Sequence, residues 1–229
     1  MKNKKMENLS KKMNKKQFLE KYAILIAFFI LLITISVMRP NYLSPSNLIS
    51  VLNQTAINGI LAVGITFVLI TAGIDISIGS VAALSGVVSA MLAKAGMPVP
   101  VAFTGGILAG GLIGVIIGVL VTKGKLAPYI VTLGFLTIIR GVALLISGGR
   151  PISGLDRAYG ALGNGLIFGV IPVPVILFAI VTLIAHIILQ HLKIGRHVYA
   201  VGGNPNAAEA CGISANRTKM FVHVVCSLC

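Results

Sequence analysis

The sequence has no tryptophan, three cysteines and five acidic residues among 229. Charged residues make up 10% of it and hydrophobic ones 56%, where a soluble domain carries about 25% charged residues. So few charges cannot keep a soluble surface of this length dissolved, which points to a bilayer as solvent. Cys211, Cys226 and Cys229 are too few for a disulfide framework. Cys226 and Cys229 have CxxC spacing, but in an apolar stretch without acidic partners, so they read as small buried residues. The terminal Cys226-Ser227-Leu228-Cys229 does not end as a prenylation box does. Asp75, Asp156 and Glu209 are too scattered for acid–base catalysis, so no catalytic residues are assigned. His186 and His191 are five apart with no carboxylate beside them, which argues against a metal site. Gly118 to Lys125 imitates a phosphate-binding loop, but five residues separate Gly118 from Gly124, and Leu126 stands where Ser or Thr is needed. The chain therefore offers no ATP site and no cofactor site of its own.

What the sequence does contain is positive charge and long apolar runs. The formal charge is +14, and eight of the 19 Lys and Arg lie in residues 1–21. This basic tail (Lys2, Lys4, Lys5, Lys11, Lys12, Lys15, Lys16 and Lys21) precedes an apolar run and suits anionic lipid headgroups. With no aromatic interleaving beyond Phe18, nucleic-acid binding is not expected. Apolar spans follow at Tyr22–Met38, Leu48 to about Thr71, Ile78 to about Leu92, Val101–Val121, Pro128–Ile146 and Leu166–Leu192. Each approaches the roughly 17 to 25 residues that a crossing helix needs. The expected fold is an all-α polytopic transmembrane bundle of about six complete spans in residues 22–192. A cytoplasmic loop (191–219) and the start of a seventh span (220–229) come after it. With the tail inside, cytoplasmic segments hold 14 Lys and Arg and outer segments four, Arg39, Lys94, Arg150 and Arg157.

Polar residues within the spans are candidate pathway or turn residues. Gln54 and Asn58, four apart on one helical face, are either glue between helices or the lining of a polar pathway. Thr71 to Ser80, TAGIDISIGS, interrupts the apolar pattern, and Asp75 is the lone acid between Glu20 and Asp156. Asp75 or Ser77 can cap the helix that follows; proton or ion binding by Asp75 is the alternative. Arg140 either snorkels towards the nearby Gly148-Gly149-Arg150 exit or faces a wet interior. Gly106, Gly110, Gly114 and Gly118 recur at intervals of four along one stripe, which lets a neighbouring backbone approach closely and marks a packing helix.

Residues 191–219, HLKIGRHVYAVGGNPNAAEACGISANRTK, are the most polar stretch after the spans begin. Asn204 can cap a helix of about two turns, Pro205 suits its first position, and Gly212 supplies the residue just past its end.

Three ordered segments carry a specific resemblance: Leu69 to Ser80 (LITAGIDISIGS), Lys123 to Gly134 (KGKLAPYIVTLG) and Gly195 to Asn204 (GRHVYAVGGN). Together they resemble the ribose-type permease subunits of bacterial ATP-binding-cassette sugar importers, from about residue 20 to the end. The resemblance implies half of a transmembrane pathway in the cell membrane, formed with an identical or related permease subunit. It implies sugar delivered by an extracytoplasmic binding protein, and ATP and Mg on separate ATPase subunits. Such permeases meet their ATPase through a cytoplasmic EAA-then-Gly loop, which here would be Asn204, Asn206, Ala207, Ala208, Glu209 and Gly212, with Asn206 departing from the usual Glu. Relatives continue with further spans beyond the position of Cys229, so a truncated product or a fragment is expected. The alternatives are a proton-coupled secondary transporter, which would put weight on Asp75, and a polytopic membrane enzyme, which would need the clustered acids that are lacking.

Overall fold

The computed structural model describes residues 15–167 and 169–229, almost all of them helical. The basic segment 1–14 lies outside the described residues. The chain divides into residues 1–50 and 51–229. In the first unit, α1 (Lys15–Met38) starts ahead of the expected Tyr22, so Lys15, Lys16 and Lys21 belong to the helix and not to a tail. A short 3-10 turn, Pro40–Leu43, follows, and Asn47 Nδ2 donates to the Tyr42 carbonyl (2.7 Å) across the entry to α2 (Pro45–Ile70).

The second unit continues α2 and adds α3 (Ile78–Lys94), α4 (Val99–Thr122), α5 (Pro128–Ser147), α6 (Arg157–Asn164), a hairpin of β1 (Leu166–Ile167) and β2 (Ile171–Pro172), α7 (Val173–His191), α8 (Lys193–Gly203), α9 (Pro205–Ala210) and α10 (Ala215–Leu228). Proline stands in the first turn of α4, α5, α7 and α9, where its missing N–H removes no helical bond. By length and composition α2, α4, α5 and α7 can each cross a membrane, while Tyr22–Met38 and α3 are shorter apolar helices.

One expectation is corrected. The span placed at Leu166–Leu192 begins as a helix only at Val173, because Leu166–Ile167 and Ile171–Pro172 pair as antiparallel strands instead. The Gly-rich stretch 148–165 carries a short helix, α6. Asp156 caps α6 by accepting from Ala158 N (3.4 Å), and Tyr159 Oη bonds Ser89 Oγ (3.0 Å) on α3.

α4 is the hub, packed against α3, α5 and α10. One core cluster joins Val81 and Leu84 of α3, Ile113, Ile117 and Val121 of α4, and Val131, Ile139 and Ala143 of α5. The glycine stripe explains how close the backbones come. A methyl group on Gly106 would lie 2.7 Å from the Ser85 carbonyl oxygen of α3, and one on Gly114 2.8 Å from the His223 carbonyl oxygen of α10. Gly110 faces both neighbours, and Gly118 meets Met220. A second cluster joins Phe67, Val68, Ala185, Val198, Val222 and Cys226, so α2, α7, α8 and α10 share a core.

Candidate functional site

Residues 191–219 fold as a packed shelf. α8 turns its apolar side inward, with Val198 and Val201 fully buried, and a third small cluster joins Val201 to Ala208 of α9 and Ala215 of α10. α9 is built as its sequence dictates. Asn204 Oδ1 accepts from Asn206 N (3.0 Å) and Ala207 N (3.1 Å), and Pro205 occupies the first turn. Gly212, at φ +80°, adopts the left-handed conformation that ends the segment and lets Ile213 N return to the Ala208 carbonyl (2.9 Å). Asn204, Asn206, Ala207, Glu209 and Gly212 are exposed; Ala208 is not. Ala208 packs α9 against Val201 of α8 and Ala215 of α10. Ser214 Oγ accepts from Arg217 N (3.4 Å) to begin α10, so α8, α9 and α10 follow each other with almost no slack.

The shelf touches the interrupted stretch after α2. Gly202 lies so close to the Ile70 carbonyl that any β-carbon there would collide with it. Beyond Ile70 the chain makes an irregular turn in which Ala72 takes φ +58°, strained for a residue with a β-carbon. Asp75, 1% exposed, sits inside this turn. Its Oδ1 accepts from Ser77 N (2.9 Å) and Ser77 Oγ (2.7 Å), so Asp75 organises the start of α3, and Ser77's own side chain makes no cap bond. Its Oδ2 accepts from His223 Nδ1 (3.3 Å) on α10. Thr132 of α5 closes the far side, with Oγ1 accepting from Ile76 N (3.4 Å).

Sequence reasoning did not single out His223. A usable signal existed, since one acid and one histidine, each isolated in apolar surroundings, both need a polar partner. The remaining candidates lie apart from this centre. Gln54, Asn58 and Arg140 are exposed on the outer faces of α2 and α5. Their neighbour Asn53 makes the inter-helix bond instead, donating through Nδ2 to the Gly163 carbonyl (3.0 Å) of α6. His186 and His191 come closer than their spacing suggests, with ring centroids 5.8 Å apart where α7 ends. Among the described residues no group of three His, Cys, Asp or Glu is placed to hold a metal. A cleft of about 220 Å³ opens beside α3, α4, α6 and α10, where Ser85, Ser89, Tyr159 and Ser227 are the hydroxyls among mainly apolar walls.

Apolar helices packed through a glycine stripe, with a helical shelf docked against an interrupted pair of helices, define an all-α polytopic membrane bundle. Residues 47–229 match the family described as the permease component of the branched-chain amino acid transport system. The chain is 40% identical to the ribose import permease protein of Haemophilus influenzae over 213 residues, covering 91% of this chain and 66% of that protein. It is 37% identical to the ribose import permease protein of Bacillus subtilis, covering 100% and 71%, and 36% identical to the D-allose transport system permease protein of Escherichia coli K12, covering 93% and 65%. The chain belongs to this family of ATP-binding-cassette sugar-importer permeases. It spans about two thirds of the length of these relatives. They are named as transport permeases and not as enzymes, and neither the proton-coupled transporter nor the membrane enzyme finds support among them. No solved structure matches the chain.

Proposed function

We propose that the chain is a membrane-spanning subunit of an importer for ribose or a closely similar monosaccharide. An identical or related permease subunit pairs with it, an extracytoplasmic binding protein delivers the sugar, and ATP with Mg is hydrolysed on separate ATPase subunits. The ribose-importing relatives at 37 to 40% identity support the choice of sugar. The observation that carries the reading is the shelf, in which a short capped helix, α9, shows small and polar residues outward while Ala208 fixes it to the core. A rigid lever needs both a free face for a partner and a firm seat beneath it. The excess of Lys and Arg around α8 to α10 supports a cytoplasmic position for that face and for the N-terminus.

The test uses an Ala207→Cys variant in a Cys211→Ser background, co-expressed with the ATPase and binding protein. A short thiol crosslinker should join residue 207 to the ATPase. Radiolabelled ribose should enter proteoliposomes only when ATP is supplied, and Ala207→Phe should depress that uptake roughly tenfold, within the range of inter-site coupling, with normal membrane abundance. ATP-independent uptake, or full uptake by Ala207→Phe, would refute the proposal.

A further inference from the structure

The contact between Asp75 and His223 joins residues 148 positions apart, both almost fully buried, and the start of α3 does not require it. Asp75 Oδ1 already serves Ser77 N and Ser77 Oγ. Oδ2 is left over, and α10 brings a histidine to it. A buried pair of ionisable groups is a poor way to gain stability, since an apolar pair of similar volume often does as well or better. What the pair supplies is direction and position, a polar bond at one fixed point of a turn that has no helical ladder of its own.

The covalent path to that point is short and stiff. α9 is seated on Ala215, the first residue of α10, through Ala208 and Val201. From Ala215 to His223 the chain is uninterrupted helix, a rise of about 12 Å. Any displacement of α9 therefore moves His223, and His223 holds the carboxylate around which residues 71–77 are folded. The same shelf reaches that stretch at its other end, where Gly202 abuts the Ile70 carbonyl. From the turn, Thr132 Oγ1 and Ser80 Oγ carry contacts on to α5, the latter donating to the Leu136 carbonyl (2.9 Å).

We propose that Asp75 and His223 are positioning residues for transport, forming the polar link through which movement of the α8–α9 shelf repositions the turn between α2 and α3. The link rests on the reading of α9 as the ATPase contact. Its signature is in coupling: without it the ATPase still docks and turns over, but the motion is not passed to α3.

The test compares variants of the permease in the assembled importer, with ribose uptake measured per ATP hydrolysed and per complex captured through the ATPase. Asp75→Asn/His223→Leu keeps an acceptor for Ser77, removes the buried charge and cuts the link; the ratio should fall roughly tenfold, a mid-range coupling loss. His223→Asn puts an amide N–H where Nδ1 stands and should keep the ratio within about twofold. An unchanged ratio in the double variant overturns the link, as does an equal loss in His223→Asn. A double variant that fails to assemble assigns the pair a structural role alone and also overturns it. If the unaltered importer neither takes up ribose nor crosslinks through residue 207, the function proposed above fails and this link fails with it. Normal uptake with an insensitive ratio defeats the link alone.

Discussion

Single residues set the distance between helices here. At Gly114 the atoms facing the missing side chain are the backbone oxygen of His223 and the Ser227 side chain, so a methyl group cannot be relieved by rotating one flexible neighbour. Gly114→Ala should cost about 1 to 3 kcal/mol by overpacking. Gly134, in the equally apolar α5, has nothing within 4 Å of the same position, so Gly134→Ala should be neutral or slightly stabilising. Thermal unfolding of the two variants in one detergent separates them; equal losses would mean that the stripe does not control packing. The interval-of-four glycines were legible in the sequence because helix geometry alone aligns them. Which helices would press on them was not, since that depends on α3 arriving from an earlier part of the chain and α10 from more than a hundred residues away.

At the scale of elements, α9 is the most readable piece, because Asn204, Pro205 and Gly212 each act within a few residues of their own position. The hairpin at 166–172 was the least readable. A short apolar run such as LIFGVIP carries no periodicity that separates strand from helix, and its continuity with α7 invited one long span. Burial within the shelf was likewise invisible locally. Ala207 and Ala208 look alike in sequence, yet only Ala208 faces Val201 and Ala215. Ala208→Leu should therefore lift α9 from its seat and weaken capture of the ATPase at least fivefold, the lower end of inter-site coupling, while the chain still inserts. Co-purification of the ATPase with the variant measures this, and undiminished capture would remove the seat from the argument.

For the whole molecule the decisive property is how the chain lies in the membrane. The charge asymmetry predicts that the shelf faces the cytoplasm. Cys211 reports on this without any engineered residue, being exposed while Cys226 is buried. A membrane-impermeant maleimide should label the chain in inside-out vesicles and leave it unlabelled in right-side-out ones, with Cys211→Ser as the blank. Equal labelling from outside would reverse the topology. Composition, the order of the apolar runs, charge asymmetry and the local caps were determined by the sequence alone, because each depends on neighbours along the chain or on its preference for lipid over water. The seating of α9 on Ala215, the closing of the glycine stripe by α10 and the meeting of Asp75 with His223 were decided only by the tertiary structure. Contacts between residues so far apart in sequence exist only once the apolar helices have packed and left a buried carboxylate in need of a donor.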